Sequence, residues 1–346
     1  KPKKAGKKTT KAPKAEVAAE PAPEPAKPKK AGKKTTKAPK AEVAEAPPAE
    51  AKPAKAKKAG KKTTKKTTKK AAKPAEPTLA ERLDRHVLYQ RAVQSPEADL
   101  EFFAARYEEL RGRAPKVLRE DFCGTAYISA TWAGSGKGRR AIGVDLDAAT
   151  LQWGREHNLA PLSKDAQKRV ELRQANVLDG GGTRADMTCA MNFSYGVFKT
   201  RAELRHYFEV VHQQLADDGV FFTELYGGTE AIVAVEDERE IAGDEETGGG
   251  FTYLWEQAAY NPITHETLCH IHFRLSDGSK IEKAFTYDWR LWSIMEVREL
   301  LYEVGFTSVR VYWEATDEDG DGTGEYYATE HEENQESWLV YLVAAK

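Results

Sequence analysis

Small and polar residues stand at the ends of three predicted strands, where they could bind a nucleoside. The stretch LREDFCGTA, residues 118–126, predicts a strand, a tight turn and the start of a helix, and Gly124 lets backbone N–H groups approach a ligand. About 21 residues later, AIGVD places Asp145 at a strand end from which a carboxylate reaches ribose hydroxyls. In QANVLD, Asn176 can accept a hydrogen bond from an adenine amine, and Val177 can pack on the ring. These residues predict an adenosine site.

A dinucleotide is the alternative ligand for the first turn. Its pyrophosphate requires a glycine-rich turn, whereas Phe122 and Ala126 leave less room and fewer N–H groups for it. An α/β domain with coincidental spacing is the remaining alternative. The agreement between motif and strand context argues against that interpretation.

The surrounding elements alternate between strands and helices, which predicts an α/β fold with a parallel sheet. The predicted helices cover residues 79–93, 96–111, 200–215 and 293–305. The last two start at capping boxes of the type Ser/Thr-x-x-Glu. The predicted strands are 117–121, 141–146, 170–177, 187–193 and 220–226, followed by an antiparallel edge pair, 308–314 and 337–344.

The segment 227–292 interrupts this alternation. It contains an acidic, glycine-rich loop at 236–250 and, after it, three strand-like runs that cover residues 251–258, 266–275 and 281–289. The last two runs are joined by an Asp-Gly turn, which is typical of a hairpin. We therefore expect an inserted antiparallel sheet above the carboxyl ends of the main strands, where it would act as a lid over a ligand.

With these motifs, roughly residues 85–346 resemble class I S-adenosylmethionine-dependent methyltransferases. In that family the first turn usually reads as an acid, one residue and then GxGxG. Here Glu120 is the acid, Phe122 and Ala126 replace the outer glycines, and an FxGxG variant is familiar among methyltransferases that act on nucleobases. The resemblance implies a Rossmann-like, seven-stranded methyltransferase sheet with an antiparallel edge pair, S-adenosylmethionine as cofactor, and methyl transfer as the reaction.

The resemblance also implies which residues bind the cofactor. Glu120 would contact its amino group, directly or through water, and Gly124 its methionine portion. Asp145 would bind the ribose, and Asn176 and Val177 the adenine. The full set of implied cofactor residues is Glu120, Phe122, Cys123, Gly124, Thr125, Asp145, Leu146, Asn176, Val177 and Asn192.

The catalytic residue is not fixed by the sequence, because methyl transfer needs an in-line approach to an already activated methyl group. Positioning and desolvation supply much of the rate, so a fixed general base is not required. Tyr195 and His272 are the candidates for a catalytic role. The candidate substrate residues are Tyr195, Tyr226, Trp255, His272 and Arg290.

Two of these candidates come from NFSY, residues 192–195, where amino-methylating nucleic-acid enzymes carry an Asn/Asp-Pro-Pro-aromatic motif. Asn192 could accept a hydrogen bond from a target amine, and Tyr195 could stack on a base. The two prolines are missing, and the alternative is that Asn192 caps the strand end while Phe193 packs in the core. A cytosine C5 enzyme is disfavoured because none of the three cysteines follows a proline.

The predicted lid supplies the remaining candidates. His272 lies on a polar strand face, so it either contacts the substrate or faces solvent. The run FTYDWRLW, residues 285–292, together with Tyr253 and Trp255, forms either the pocket mouth or the packing of the lid on the main sheet. Arg290 would suit a carboxylate or phosphate on the substrate.

We predict no metal site. His270 and His272 are two residues apart but lack an evident third ligand besides His265. The acidic run DEDGDG, residues 317–322, matches four positions of a calcium loop, but Ala328 stands where its bidentate glutamate belongs. We interpret this run as a solvated acidic loop.

The charge of the chain divides at Pro77. Residues 1–77 contain 25 lysines against 7 glutamates, a net charge of +18, whereas the remainder carries −19. The repeat KPKKAGKKTTKAPKAEVA occupies residues 1–18 and again 27–44, without any aromatic residue, leucine or isoleucine. Such a segment cannot offset the entropy of ordering, so we expect a disordered tail. It resembles the Lys/Ala/Pro tails of linker histones and bacterial histone-like proteins.

The tail could bind nucleic acid non-specifically through phosphate neutralisation, or lie on its own acidic domain. The chain has no run of 18 apolar residues, so we predict no membrane-spanning helix. Three widely spaced cysteines favour a reducing compartment. We therefore expect a cytoplasmic protein, with association to a nucleoid or chromatin possible through the tail.

The preferred function is methyl transfer to a small molecule enclosed by the lid, in a domain spanning residues 78–346. One alternative is a nucleoid- or chromatin-tethered methyltransferase of nucleic acid or basic protein. The other is a non-catalytic, DNA-binding architectural protein whose domain only binds a cofactor.

Overall fold

The computed structural model describes residues 76–317 and 322–346. The predicted disordered tail and most of the predicted acidic loop lie outside these residues. Everything below concerns the described part of the chain.

The described residues contain eight α-helices, which we number in chain order. They are α1 Leu79–Arg82, α2 Arg85–Val93, α3 Pro96–Arg111, α4 Tyr127–Gly134, α5 Ala148–Gly154, α6 Lys164–Gln167, α7 Arg201–Gln214 and α8 Ile294–Glu303. A π-helical turn, Arg155–Leu159, continues α5. No helix of these residues is long and apolar enough to cross a membrane.

Local capping residues decide where several helices begin and end. The capping boxes at Thr200 and Ser293 are both formed, and Gly112 ends α3 with a φ of 66°. The prediction of one helix over residues 79–93 was wrong. The chain is extended at Leu83, and the Asp84 side chain accepts the backbone N–H of His86, which starts a new helix.

Twelve strands of the described residues form two sheets. They are β1 Val117–Asp121, β2 Arg140–Asp145, β3 Val170–Gln174, β4 Ala185–Ala190, β5 Leu215–Gly227, β6 Val235–Ile241, β7 Phe251–Tyr260, β8 Glu266–Arg274, β9 Lys280–Arg290, β10 Ser308–Thr316, β11 Gly322–Thr329 and β12 Trp338–Ala345. The predicted strand at 187–193 ends early because Asn192 and Phe193 adopt left-handed φ values of 52° and 54°.

The main sheet mixes parallel and antiparallel strands in the order β11-β10-β12-β5-β4-β1-β2-β3. The five strands from β5 to β3 pair in parallel, whereas β12, β10 and β11 join the β5 edge in antiparallel fashion. The predicted antiparallel pair is therefore present. The predicted count of seven strands was wrong, because β11 pairs with the outer edge of β10 and makes eight.

The second sheet is antiparallel and has the order β6-β7-β8-β9. The Asp-Gly turn between β8 and β9 forms as predicted, and Gly278 has a φ of 81°. The acidic segment 236–250 was predicted to be a loop, but β6 covers its first part and pairs with β7. Pairing with a neighbour makes this charged sequence an exposed edge strand.

Apolar side chains fill both faces of the main sheet and one face of the second sheet. One face of the main sheet packs against α7 and α8, and the opposite face packs against α3 and α4. The second sheet packs against α1 and α2, with Leu88, Phe251 and Phe273 almost fully buried between them. Helix α2 is thereby held against the second sheet.

Candidate functional site

The turn after β1 adopts left-handed backbone conformations that are typical of a glycine-rich loop, although it contains only one glycine. Phe122, Gly124 and Ala126 adopt φ values of 57°, 51° and 56°, all in the left-handed region. The Phe122 ring lies against Phe198 and Tyr207, at centroid distances of 6.0 and 5.5 Å, and Ala126 is completely buried. Packing therefore holds two ordinary residues in a conformation that usually favours glycine.

Helix α5 approaches this turn at Gly154. A Cβ atom at that position would lie 2.2 Å from the carbonyl oxygen of Thr125, so only glycine fits there. The Asn158 side chain also donates to the same oxygen, at 2.9 Å. The helix after β2 thus fixes the backbone of the first turn.

Asp145 connects the ends of β1 and β2. Its Oδ2 accepts the backbone N–H of Gly124 at 2.7 Å, and its Oδ1 accepts the N–H of Asp147 at 2.9 Å. A carboxylate has about four acceptor positions, so both oxygens can still accept hydrogen bonds from a ligand. Asp145 therefore orients the turn and remains able to bind hydroxyl groups.

Glu120 is buried at the end of β1. Its Oε2 accepts the backbone N–H of Ser129 at 2.8 Å and the Ser129 hydroxyl at 2.6 Å. Burial raises the pKa of Glu120 to about 8, because the two hydrogen bonds only partly offset the loss of hydration. A cationic ligand group beside this carboxyl would favour its ionised form.

Asp121 lies on the other face of β1 and has a different environment. Arg119 donates to it at 2.7 Å and Tyr207 at 3.1 Å, and the side chains of the ion pair are almost completely buried. Burial raises the pKa of Asp121, and the guanidinium of Arg119 opposes that shift. This charge is satisfied within the protein, so its primary role is structural.

A cavity of about 270 Å³, which we name the strand-end cavity, lies above these residues. Of the predicted cofactor residues, Glu120, Phe122, Cys123, Gly124, Thr125 and Asn192 line it. Its roof comes from α2 and from β9, through Arg85, His86, Tyr89, Phe285 and Tyr287. The first turn therefore faces a space that is covered by the second sheet and its helix.

The other four predicted cofactor residues lie at the neighbouring strand ends, outside the lining of this cavity. Asp145 reaches it through the N–H of Gly124, whereas Leu146 is two-thirds exposed. The Asn176 side chain caps a 3₁₀ turn by accepting the N–H of Leu178, and Val177 is buried. An exposed apolar side chain beside the cavity leaves a surface on which a flat ring could pack.

A second cavity of about 360 Å³, which we name the aromatic cavity, adjoins the first. The two cavities share Tyr89, Asn192 and Tyr287. Seven aromatic side chains line the aromatic cavity: Tyr89, Phe193, Tyr226, Tyr253, Trp255, Tyr287 and Trp289. Of the predicted substrate residues, Tyr226 and Trp255 are in this group.

The wall of the aromatic cavity includes a buried carboxyl, that of Glu224 in β5. Its carboxylate accepts the backbone N–H of Asn192. Burial raises the pKa of Glu224 to about 8, and the nearby carboxylate of Asp99 adds to this effect. The site thus contains two carboxyls with strongly raised pKa values, one in each cavity.

The remaining predicted substrate residues are not brought to either cavity. His272 lies on β8, where its Nε2 contacts Glu256 Oε2 at 3.0 Å and its Nδ1 accepts the N–H of Lys283. The neighbouring Ile271 points to the opposite face and lines the aromatic cavity. His272 therefore faces away from the site.

Tyr195 and Arg290 line a much smaller cavity, which shares Phe193, Tyr226 and Trp289 with the aromatic cavity. Tyr195 is buried in the core of the main sheet, where Phe208 lies next to it. Arg290 pairs with Glu296 at 2.7 Å and lies over the ring of Trp292 at 3.6 Å. Its guanidinium joins β9 to α8 and is engaged within the protein.

Sequence analysis did not identify Tyr89 and Glu224, and it included Tyr287 only within the aromatic run 285–292. These three residues lie where the cavities meet or in their walls. Glu224 had a usable signal, because it is the one charged residue in the apolar strand run VFFTELY. Tyr89 had none, since its position depends on how α2 and the second sheet pack together.

Comparisons with known proteins give no match from sequence and clear matches from structure. No family model matches the sequence, and no curated protein matches it. Among solved structures, the S-adenosylmethionine-bound amino pentose methyltransferase CalS10 from Micromonospora echinaspora, involved in calicheamicin biosynthesis, has a TM-score of 0.54 and 15% identity. That match covers 75% of this chain and 95% of the other.

Two further structures are similar to the same extent. The sugar N-methyltransferase KedS8 from Streptoalloteichus has a TM-score of 0.53 and 15% identity, over 83% of this chain and 99% of the other. An S-adenosylmethionine-dependent methyltransferase from Clostridium acetobutylicum has a TM-score of 0.53 and 14% identity. That match covers 75% of this chain and 96% of the other. The chain has a methyltransferase fold. Within this fold, the strand-end cavity lies where open α/β sheets bind their ligands.

Proposed function

We propose that the protein is an S-adenosylmethionine-dependent methyltransferase that binds this cofactor in the strand-end cavity. The observation that carries the proposal is the left-handed turn at Gly124, whose N–H is held by Asp145 beneath the cavity. The similar structures support the fold in which such a turn occurs. A pyrophosphate would instead require more backbone N–H groups than the FxGxA turn offers.

The residues at the strand ends fit the parts of that cofactor. Glu120 would accept hydrogen bonds from the cationic amino group, which favours the ionised form of this buried carboxyl. Asp145 would accept the ribose hydroxyls, and the exposed side chain of Leu146 would pack against adenine. Bound there, S-adenosylmethionine supplies a methyl group that is already activated for transfer.

We further propose that the acceptor is a small molecule in the aromatic cavity. This cavity adjoins the strand-end cavity and shares three side chains with it, so a ligand in one lies beside a ligand in the other. The second sheet and α2 would act as a lid that excludes water and holds the two reactants in line. A covered, aromatic space of this size suits a metabolite better than a duplex.

The test is methyl transfer from radiolabelled S-adenosylmethionine to a metabolite extract, DNA, RNA or a histone-like protein. The full-length chain and a variant lacking residues 1–77 are compared. We expect both to label a small molecule at similar rates. Loss of all transfer on truncation, or labelling of nucleic acid alone, would contradict a small-molecule acceptor.

For the tail, we propose non-specific contact with nucleic acid, because residues 1–77 carry a net charge of +18. Binding of this kind weakens steeply with salt, since it releases counterions from phosphates. Fluorescence anisotropy with a labelled duplex should show full-length chain losing about 10³-fold or more in affinity between about 50 and 200 mM salt. Sequence-dependent or salt-independent binding would contradict the proposal.

A further inference from the structure

We propose that the acceptor atom is the nitrogen of a small amine, which the aromatic cavity binds as its ammonium and which gives its proton to Glu224. This inference rests on the methyltransferase function proposed above. It adds the class of the substrate and a catalytic residue that the sequence analysis did not identify.

The aromatic rings around the cavity form one connected cluster. Tyr287 and Trp289 are stacked at a centroid distance of 4.3 Å, and Trp255 lies 6.2 Å from Tyr287 and 6.4 Å from Trp289. Phe193 and Tyr226 continue the wall, 4.7 Å apart. Ring faces carry partial negative charge, so an enclosure built from them favours a cation over a neutral or anionic group.

The charged groups of the cavity have the sign that suits an ammonium. Glu224 lies in the wall, and Asp237 lies at the exposed edge strand that borders it. The one cation in the lining, Arg239, donates to the backbone carbonyl of Ala92 and lies over the Tyr253 ring at 5.3 Å. An anionic acceptor would meet two acidic side chains and, among the described lining residues, no cation without a protein partner, whereas an ammonium would be attracted by Asp237 and would favour the ionised form of Glu224.

Glu224 is held in a fixed orientation. The backbone N–H groups of Asn192 and Phe193 approach its carboxylate, in the left-handed turn that follows β4. A carboxylate held in this way retains acceptor positions for a ligand. Because Asn192 also lines the strand-end cavity, Glu224 lies next to the side from which a methyl group would be delivered.

The protonation equilibrium of Glu224 supports a transfer from an amine. Burial raises its pKa to about 8, which is close to the pKa of about 8 of an α-amino group. A proton can therefore pass between such an ammonium and this carboxylate at little cost in free energy. An ordinary, solvated glutamate would be too weak a base for this step.

Proton transfer to Glu224 precedes methyl transfer. The ammonium N–H bond breaks and its proton forms an O–H bond on Glu224, which leaves a lone pair on the nitrogen. This lone pair attacks the methyl carbon in line with the C–S bond. The C–N bond forms as the C–S bond breaks, and the electron pair of that bond stays on sulfur as a thioether. Glu224 then returns its proton to solvent.

A binding experiment tests the preference for a cation without requiring turnover. Isothermal titration compares choline with its neutral isostere 3,3-dimethylbutan-1-ol, each in the presence of S-adenosylhomocysteine. We expect choline to bind about ten-fold more tightly or better, which corresponds to about 1.4 kcal/mol. Equal affinity, or no binding of choline, would overturn the assignment to an amine.

Trp255→Leu provides the matching variant, since it keeps an apolar side chain and removes one ring face. We expect this substitution to lower the affinity for choline by about ten-fold and the affinity for 3,3-dimethylbutan-1-ol by less than about three-fold. Parallel losses for both compounds would mean that the ring supplies only apolar contact, and would also overturn the cation preference.

Glu224→Gln tests the proton transfer, because glutamine keeps an acceptor oxygen for Asn192 and removes the negative charge. With labelled S-adenosylmethionine and leucinamide, whose amine is an α-amino group, we expect kcat to fall by about 10²-fold or more, with KM changing much less. Glu209→Gln is the control, since Glu209 is a partly buried carboxyl of α7 that pairs with Arg205 and lines neither cavity. A loss of less than about three-fold in Glu224→Gln would overturn the role of Glu224.

Two outcomes separate this inference from the proposed function. If the wild-type chain does not bind S-adenosylmethionine in a titration, the methyltransferase function itself fails. If it binds this cofactor and labels 2-hydroxy-4-methylpentanamide but not leucinamide, the function stands and the amine acceptor is wrong.

Discussion

At the scale of single residues, the site is defined by carboxyls whose environments differ. Glu120 and Glu224 are buried with few compensating partners, whereas Asp121 is paired with Arg119 and Asp145 holds backbone N–H groups. Ionising Glu120 or Glu224 is unfavourable in the free protein, because burial removes the hydration of the carboxylate. A cation bound beside either carboxyl would favour its ionised form. Asp121 and Asp145 instead hold neighbouring groups in fixed positions, Arg119 in one case and the backbone of the first turn in the other.

Asp145→Ala removes acceptors for the N–H groups of Gly124 and Asp147 and for the proposed ribose hydroxyls. We expect the affinity for S-adenosylmethionine to fall by about ten-fold or more, since two or more hydrogen bonds to a charged group are lost. Isothermal titration measures this effect, with Asp186→Ala as the control, since Asp186 also accepts two backbone N–H groups but lines neither cavity. Unchanged affinity would show that Asp145 does not bind the ribose.

The raised pKa of Glu120 predicts how stability depends on pH. Its value is about 8 in the folded protein against a usual 4.5, so the folded state binds the proton more tightly. The stabilising contribution is complete below about pH 4.5 and is lost as the pH rises toward 8, by about 1.4 kcal/mol per pH unit for this group.

Urea unfolding at about pH 5.5 and 7.5 tests this prediction. Glu120→Gln cannot titrate, so the variant should lose less stability between the two pH values than the wild type does. The raised pKa of Glu224 also lowers the free energy of unfolding as the pH rises, so the Glu120→Gln variant retains part of the pH dependence of stability. An identical slope in wild type and variant would mean that Glu120 ionises at an ordinary pKa.

At the scale of elements, the shape of the site depends on how α5 and α2 pack around the first turn. Helix α5 touches the first turn at Gly154, and α2 lies over the cavity that the turn faces. The break before α2 is set locally by Asp84, which caps the helix and also accepts the indole N–H of Trp153 at 2.8 Å. One side chain thus joins α2 to α5.

Gly154→Ala should destabilise the chain by about 1–3 kcal/mol, because the new methyl group would meet the rigid carbonyl of Thr125. The shift of the first turn should also weaken binding of S-adenosylmethionine. Gly134→Ala is the control, since its methyl would meet only the flexible end of Leu162 at 3.2 Å. Thermal unfolding and titration of both variants give the comparison, and equal behaviour would contradict a tight contact at Gly154.

Sequence reasoning located most of the elements and missed those whose pairing decides their type. Residues 117–121 were predicted as the first strand with the same bounds as β1, and both capping boxes are formed. Strands β6 and β11 were missed because their sequences are charged or polar and form strands only beside β7 and β10. A polar edge strand has no apolar periodicity to detect.

At the scale of the whole molecule, α2 packs against the second sheet and also lines the strand-end cavity of the main sheet. Its buried Leu88 packs in the core of the second sheet, while Arg85, His86 and Tyr89 face the strand-end cavity. Both cavities therefore depend on the second sheet staying in place over the carboxyl ends of the main strands.

Leu88→Ala should destabilise the protein by about 2–5 kcal/mol, since it leaves a cavity in this core. If α2 carries the roof of the strand-end cavity, binding of S-adenosylmethionine should weaken in the same variant. Ile263→Ala is the control, because Ile263 is 89% exposed and its truncation should change stability by less than about 0.5 kcal/mol. Cofactor affinity that is unaffected by Leu88→Ala would contradict this role of α2.

The sequence by itself determined the order of the five parallel strands and of the longer helices, the turn at Gly124 and the acid at Asp145, because these depend on residues near one another in the chain. Only the tertiary structure decided which side chains meet. It placed Glu224, Tyr89 and Tyr287 at the cavities and turned His272 away from them. Strand register and sheet packing fix those positions, and both arise from contacts between residues far apart in sequence.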